Sequence, residues 1–171
     1  MVENLKAKLP SLAGSRIMLV EDNPINQDII LGLLDGSKII IDIARNGREA
    51  VNQFETGTHE MVLMDLQMPI MDGYEATKII REKDQKTPIV ALTANALQEQ
   101  INKTKELGMN AHLTKPIDVE RLYQTLLCYI SKKTEAVVVD EQDLVEIIDL
   151  PEFRLLNLNL GLRHFVGNQQ L

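Results

Sequence analysis

The sequence predicts a doubly wound α/β domain in which a parallel five-stranded sheet is covered by helices on both faces. Five short apolar runs alternate with segments of helical periodicity between residues 16 and 131. Parallel neighbours need crossover connections, and right-handed crossovers place helices on both faces of the sheet. We therefore expect a three-layer sandwich over 16–131 and treat residues 1–15 as an N-terminal linker.

Each element has its own signal in the sequence. The strands are expected at residues 17–20, 39–44, 61–64, 89–92 and 111–113, where apolar side chains follow one another. Polar N-cap residues start four of the helices, and they are Asn23 (followed by Pro24), Asn46, Asp72 and Asp118. Gly108 is expected to end the fourth helix, whose apolar face contains Leu97, Ile101 and Leu107. Gly36 should end the first helix, which carries an apolar face of Ile25, Ile29, Ile30, Leu33 and Leu34.

Composition excludes several classes of protein. The chain has 171 residues with 18 basic and 25 acidic side chains, a net charge of -7, and shows no basic face for nucleic acid. Its single cysteine, Cys128, leaves nothing to cross-link, which favours a reducing compartment. Its apolar runs are too short to cross a bilayer, and lysines interrupt the N-terminal segment where a signal peptide would be apolar. We expect a cytoplasmic protein that does not insert into the membrane.

The charge is concentrated near the C-terminus. Seven acids and no base lie between residues 134 and 152, so we interpret 132–152 as a solvated acidic linker, with a docking segment as the alternative. Residues 153–171 form a leucine-rich tail that is too short to bury a core by itself.

Polar side chains follow four of the five predicted strands. They are Glu21, Asp22, Asp65, Thr93 and Lys115, and doubly wound sheets bind ligands beyond the carboxyl ends of their strands. Crowded carboxylates repel one another unless a divalent cation binds between them, and an oxygen-only ligand set suits Mg²⁺. A carboxylate such as Asp65 is a competent nucleophile toward phosphorus, while Thr93 and Lys115 could hold phosphoryl oxygens.

Four motifs carry a family resemblance. MLVEDNPINQ, VLMDLQMPIMDGYEA, PIVALTANA and GMNAHLTKPID occur in order between about Arg16 and Ile130. Together they resemble the receiver domain of two-component signalling, in the variety found in hybrid sensor histidine kinases. The resemblance implies a flavodoxin-like (βα)5 fold with strand order 2-1-3-4-5.

The resemblance also implies a role for individual residues. Asp65 would be the phosphoacceptor, Thr93 the switch hydroxyl and Lys115 the phosphate-binding lysine, with a cis bond before Pro116. The implied ligands of Mg²⁺ are Glu21, Asp22, Asp65 and the backbone carbonyl of Gln67.

Three further residues are expected to tune the switch. Gln67 and Asn95 lie two positions beyond Asp65 and Thr93 and should border the phosphoryl group. His112 stands where many receivers have Tyr or Phe, which puts the usual aromatic readout in doubt. It is interpreted as a half-exposed histidine on the last strand, with a pH-sensitive group as the alternative.

The expected function is acceptance of a phosphoryl group from phosphohistidine by Asp65, with partners that are a histidine kinase or a histidine-phosphotransfer domain. The chain itself would show at most labelling by small phosphodonors and slow hydrolysis. A degenerate receiver that serves only as a docking module is the alternative. A haloacid-dehalogenase-like phosphatase is disfavoured by Gln67, and a dinucleotide-binding domain by the EDNPIN loop.

The tail, LPEFRLLNLNLGLRHFVGNQQL, has a weaker resemblance to the opening of a histidine-phosphotransfer domain. His164 does not match the phosphate-accepting histidine of that family. We expect the chain to be a piece of a longer sensor kinase, a transferase tethered to the inner face of the plasma membrane.

Overall fold

The structure, a computed structural model, describes residues 1–130. The strands are β1 (Arg16–Val20), β2 (Ile40–Ala44), β3 (Met61–Asp65), β4 (Ile89–Thr93) and β5 (Ala111–Thr114). The helices are α1 (Val2–Lys8), α2 (Pro24–Leu33), α3 (Gly47–Gln53), α4 (Gly73–Lys83), α5 (Gln98–Glu106) and α6 (Val119–Tyr129). The predictions for residues 131–171, which include the acidic linker, the tail and His164, lie outside the described residues.

The five strands form one parallel sheet in the order β2-β1-β3-β4-β5. Every residue of β3 and β4 is buried, whereas the edge strand β2 is mostly half-buried. This difference follows from position, because a central parallel strand has helices on both faces and an edge strand has not. The predicted fold class and strand order are confirmed.

The predicted N-caps are confirmed by hydrogen bonds. The Asn23 side chain accepts the Ile25 N–H at 2.9 Å, and the Asp118 side chain accepts the Arg121 N–H at 2.9 Å. Asn46 and Asp72 cap α3 and α4 in the same way. Each of these helices therefore begins where its sequence signal predicts.

Two apolar faces differ from the sequence prediction. Ile30 and Leu34 are buried under α2 as expected, but Ile25 and Ile29 face solvent with exposed fractions of 69% and 48%. Leu97 precedes α5 and is exposed, although it was expected on the buried face of that helix. Periodicity places these side chains near the apolar stripe, but it does not decide which part of the stripe a neighbouring element covers.

The first fifteen residues also differ from expectation, because they are not an extended linker. They contain α1 and a 3-10 turn over Leu9–Leu12, and both pack against α6. Leu5, Leu9 and Leu12 recur at a spacing of four and three residues, and all three are buried. Within residues 1–130, no helix combines the length and apolar character needed to cross a membrane.

We predict that the N-terminal segment contributes to stability. Leu9→Ala should lower the free energy of unfolding by about 2–4 kcal/mol, since it leaves a cavity at a side chain that is only 2% exposed. Leu97→Ala, the same substitution at an exposed site, should change it by less than about 0.5 kcal/mol. Equilibrium denaturation of the three proteins measures both values. Equal, small effects would show that the segment does not belong to the folded core.

Candidate functional site

One pocket lies at the carboxyl ends of β1, β3, β4 and β5. Its lining includes Glu21, Asp22, Asp65, Gln67, Thr93, Asn95 and Lys115. The structure therefore brings together the residues that the sequence placed after separate strands. They meet because parallel strands direct all their carboxyl ends toward one edge of the sheet.

Three carboxylates dominate the pocket. Glu21, Asp22 and Asp65 each offer an oxygen, and these oxygens lie within 4.8 Å of one another. Glu21 and Asp65 are buried, whereas Asp22 is exposed. Two buried anions at such a separation are unfavourable without positive charge between them.

Lys115 supplies part of that positive charge. Its Nζ lies 2.7 Å from Glu21 Oε2 and 3.0 Å from Asp65 Oδ2. A hydrogen bond of 2.8 Å from the Lys115 backbone N–H to the Thr93 carbonyl holds the residue at the end of the sheet. The peptide bond between Lys115 and Pro116 is cis, as the resemblance implied.

Burial and neighbouring charges shift the pKa values of the pocket carboxyls in opposite directions. Burial, with a contribution from the nearby Glu21 charge, raises the pKa of Asp65 to about 6 despite the Lys115 ammonium. Burial would also raise the pKa of Glu21, but hydrogen bonds from Lys115 and the Asn23 N–H outweigh it and leave that pKa below its usual range. Burial would lower the pKa of Lys115, and its two carboxylate partners raise it instead. At neutral pH the pocket therefore holds at least two anions and one cation.

The donor set of the pocket fits Mg²⁺. All three clustered groups are carboxylates, with no histidine or cysteine among them, and hard cations prefer such oxygen ligands. The three carboxylates share the single Lys115 ammonium, so the cluster keeps an excess of negative charge when its acids are ionised. Glu21, Asp22 and Asp65 are the residues that would hold the ion.

The Thr93 hydroxyl lies in the same pocket and is bonded to a neighbouring loop. It donates to the Asn95 carbonyl at 2.6 Å and accepts the Asn95 N–H at 3.1 Å. Asp65 Oδ1 similarly accepts the Gln67 N–H at 3.2 Å. The backbone of the loops after β3 and β4 is thus tied to the two side chains expected to react and to switch.

Comparison with known proteins identifies the family of the chain. Residues 17–127 match the sequence profile of the response regulator receiver domain. The chain belongs to the receiver domain family. The match includes all five strands except Arg16 at the start of β1, and all the pocket residues described above.

The chain is similar to parts of larger proteins. It is 34% identical over 157 residues to the signal transduction histidine-protein kinase BarA of Escherichia coli K12, a match that covers 91% of this chain and 17% of BarA. It is 42% identical over 129 residues to hybrid signal transduction histidine kinase B of Dictyostelium discoideum, covering 68% of this chain and 7% of that kinase. The chain therefore spans a small fraction of the curated relatives it matches.

Two solved structures show the same fold. The receiver domain of the sensor histidine kinase PA1611 of Pseudomonas aeruginosa, with a magnesium ion coordinated in its active site cleft, matches at a TM-score of 0.64 and 38% identity, covering 70% of this chain and 100% of that one. A chain from the co-crystal structure of the Saccharomyces cerevisiae phosphotransfer protein Ypd1 with the receiver domain of Ssk1 matches at a TM-score of 0.64 and 35% identity, covering 68% of this chain and 88% of that one.

Three residues of this receiver domain, Gly73, Tyr74 and Gln100, contribute to the site without having been expected there from the sequence. Gly73 N–H donates to the Leu66 carbonyl at 3.1 Å, and a Cβ at this position would collide with the Asp65 carbonyl oxygen. Tyr74 and Gln100 line the pocket from α4 and α5. The glycine after Asp72 was a usable signal, whereas Gln100 resembles any polar side chain on a helix.

Both histidines within residues 1–130, His59 and His112, are buried. His112 is 9% exposed, so the expectation of a half-exposed side chain is wrong. His59 lies before β3, as expected, where its Nε2 is 3.0 Å from Asp42 Oδ2 and its ring stacks on Phe54. β5 is mostly buried although it is an edge strand, and His112 is buried with it.

We predict that Asp65 costs stability in the absence of a cation. The pKa of Asp65 is about 6 in the folded protein, which exceeds its value in the unfolded chain. Between these two pKa values the folded protein binds more protons than the unfolded chain does. The free energy of unfolding therefore rises through this group as the pH falls from 7 toward 4. In EDTA at pH 8, Asp65→Asn should raise the free energy of unfolding by about 1–3 kcal/mol. Thermal unfolding at pH 5 should show a smaller difference in stability between Asp65→Asn and the unmodified chain than at pH 8, because Asp65 is then largely protonated. A gain that is independent of pH would contradict this cause.

Proposed function

We propose that this receiver domain accepts a phosphoryl group on Asp65 from a phosphohistidine side chain and switches conformation in response. The observation that carries this proposal is the contact of a buried carboxylate with the Lys115 ammonium, at 3.0 Å, inside a cluster of acids. Phosphoryl transfer needs positioned charge around the phosphorus more than it needs covalent chemistry from the protein. Lys115 and the neighbouring acids supply such a setting.

The proposed reaction is a displacement at phosphorus. A carboxylate oxygen of Asp65 forms a bond to the phosphorus as the bond from phosphorus to the imidazole nitrogen breaks, and the imidazole leaves with the electron pair and takes up a proton from solvent. Asp65 must be ionised to attack, which a pKa of about 6 permits at neutral pH. Water hydrolyses the resulting acyl phosphate and regenerates the carboxylate.

The surrounding residues would stabilise the transferred group. Lys115 is within reach of Asp65 and would pair with one phosphoryl oxygen, while the Thr93 hydroxyl would donate to another. A bound Mg²⁺ supplies charge neutralisation between the phosphoryl oxygens and the acids. We assign Glu21, Asp22, Asp65 and the Gln67 carbonyl as its ligands, and Gln67 and Asn95 as side chains that tune access of water.

A degenerate docking module is disfavoured by the completeness of the site. Such a module would lack one of the groups that react or bind the metal. Here Asp65, Asp22 and Lys115 are all present and line one pocket. Nothing in the geometry of the pocket obstructs the acceptor role.

We further propose that the chain is the receiver portion of a hybrid sensor histidine kinase in the cytoplasm. Support comes from its similarity to BarA, of which it spans 17%. In this proposal residues 16–131 form the receiver, 132–152 a linker, and 153–171 the first part of a histidine-phosphotransfer domain. The kinase activity would belong to the longer protein.

The partner that donates the phosphoryl group is proposed to be a histidine-phosphotransfer protein or domain. One solved relative is in complex with such a protein, Ypd1. On this chain Ile25 and Ile29 are exposed on α2, one turn apart, and Asn26 between them lines the pocket. Apolar side chains that adjoin a reactive pocket and face solvent favour contact with a partner.

We predict that labelling requires Asp65 and the acids beside it. Asp65→Asn should abolish incorporation of phosphate from acetyl phosphate with Mg²⁺, as measured by intact mass. Asp22→Asn should slow labelling by about tenfold or more, because it weakens the metal site. Asp35→Asn removes an exposed acid outside the pocket and is the matched control. Labelling of Asp65→Asn at the normal rate would place the acceptor elsewhere.

We also predict that the isoleucines of α2 affect transfer only from a protein donor. Ile29→Ser should slow transfer from a phosphorylated histidine-phosphotransfer protein by about tenfold, the scale expected for loss of an apolar anchor. Labelling by acetyl phosphate should be unchanged. Ile40→Ser is the control. Ile40 is 42% exposed and lies at the amino end of β2, whereas the pocket lies at the carboxyl ends of the strands. Equal rates for both variants would exclude this docking surface.

A further inference from the structure

Gln100 reaches the switch hydroxyl from helix α5. Its Oε1 lies 3.3 Å from Thr93 Oγ1, and the side chain lines the pocket that contains Asp65. No motif of the family resemblance includes this residue, which is seven positions beyond Thr93. The contact joins a helix surface to the group expected to respond to phosphorylation.

The hydrogen-bonding capacity of the Thr93 hydroxyl determines what this contact contributes. A threonine hydroxyl has one proton and two acceptor sites. The proton goes to the Asn95 carbonyl at 2.6 Å, and one acceptor site receives the Asn95 N–H at 3.1 Å. Gln100 Oε1 lies 3.3 Å from the hydroxyl and is a second, weaker acceptor of the same proton. In the resting position the hydroxyl proton is therefore directed toward Asn95 and Gln100.

This resting arrangement conflicts with binding of a phosphoryl group. To donate to a phosphoryl oxygen on Asp65, the Thr93 hydroxyl must withdraw its proton from the Asn95 carbonyl, because one proton makes one strong hydrogen bond. Donation to the phosphoryl group also takes that proton away from Gln100 Oε1. The Gln100 contact therefore stabilises only the resting state.

Helix α5 begins without a side-chain cap and reaches the site through polar side chains. Its N-cap, Leu97, makes no capping hydrogen bond, and Thr104 is its one buried side chain within the bounds of the helix. One turn after Gln100, the Lys103 ammonium lies 4.0 Å from the centre of the Tyr74 ring, and Tyr74 lines the pocket. The side of α5 that carries Gln100 and Lys103 is thus held by polar contacts to the site.

We propose that Gln100 is a positioning residue that holds the resting orientation of Thr93 and couples α5 to the phosphorylation of Asp65. The inference rests on the proposed phosphoacceptor function. Phosphorylation moves Thr93, the Gln100 contact is lost, and α5 is released from the edge of the pocket. In this chain, where His112 replaces the usual aromatic residue, α5 carries the signal through an amide.

The test compares Gln100→Ala with Gln98→Ala in the full chain. Both substitutions change glutamine to alanine on α5, but the Gln98 side chain is exposed and bonds only Asn102 among the contacts resolved for it. The probe is beryllium fluoride with Mg²⁺, a mimic of the phosphoryl group, measured by calorimetry. Gln100→Ala should bind the mimic about three- to tenfold more tightly, since binding no longer has to break the resting contact. Affinity for Mg²⁺ alone should not change.

Hydrogen exchange of the α5 amides provides a second readout. In the unmodified chain, exchange in α5 should accelerate when the mimic binds. In Gln100→Ala it should already be fast without the mimic, and in Gln98→Ala it should match the unmodified chain. Gln100→Leu, which keeps the bulk of the side chain and removes the amide, should behave as Gln100→Ala does.

The outcomes separate this inference from the function on which it rests. Unchanged or weaker binding of the mimic by Gln100→Ala, with normal binding by the unmodified chain, would overturn the role of Gln100 and leave the phosphoacceptor function intact. Failure of the unmodified chain to bind the mimic or to take label on Asp65 would overturn both.

Discussion

The ion pairs of Lys115 with Glu21 and Asp65 are the interaction on which the functional end of the molecule depends. Two buried carboxylates lie together there, and burial, with a smaller contribution from the Glu21 charge, raises the pKa of Asp65 to about 6 despite the ammonium. The cluster has three carboxylates and one ammonium, and such an excess of negative charge favours a divalent cation and, with it, a phosphoryl group. A fully neutralised pocket would be more stable and would have less affinity for either.

The rest of the fold holds these charges in place. β3 and β4 are buried along their whole length, so the end of each strand, where Asp65 and Thr93 lie, is fixed by apolar packing rather than by the site itself. The start of α4 lies so close to Asp65 that only glycine fits at position 73. α1 and the 3-10 turn pack on α6, and three of their leucines are buried. The site thus combines strand ends fixed by apolar packing with loops after β3 and β4 that hydrogen-bond to the side chains of Asp65 and Thr93.

The start of α5 is consistent with its proposed role in the switch. α2, α3, α4 and α6 begin at capping side chains, whereas α5, like α1, does not. A helix with few anchors can move at low cost when a contact to the pocket changes. The Thr93 hydroxyl, bonded to Asn95 and close to Gln100, links that helix to the chemistry at Asp65.

The sequence by itself determined the strands, four helix starts and the acids that meet at the pocket, because each depends on local pattern and on the rule that parallel strands end at one edge. It did not determine that Ile25, Ile29 and Leu97 are exposed, that His112 is buried, or that residues 1–15 pack on α6. Those outcomes depend on which surfaces the neighbouring elements cover. Gln100 belongs with them, since only the packing of α5 beside β4 brings an ordinary helical glutamine within 3.3 Å of Thr93.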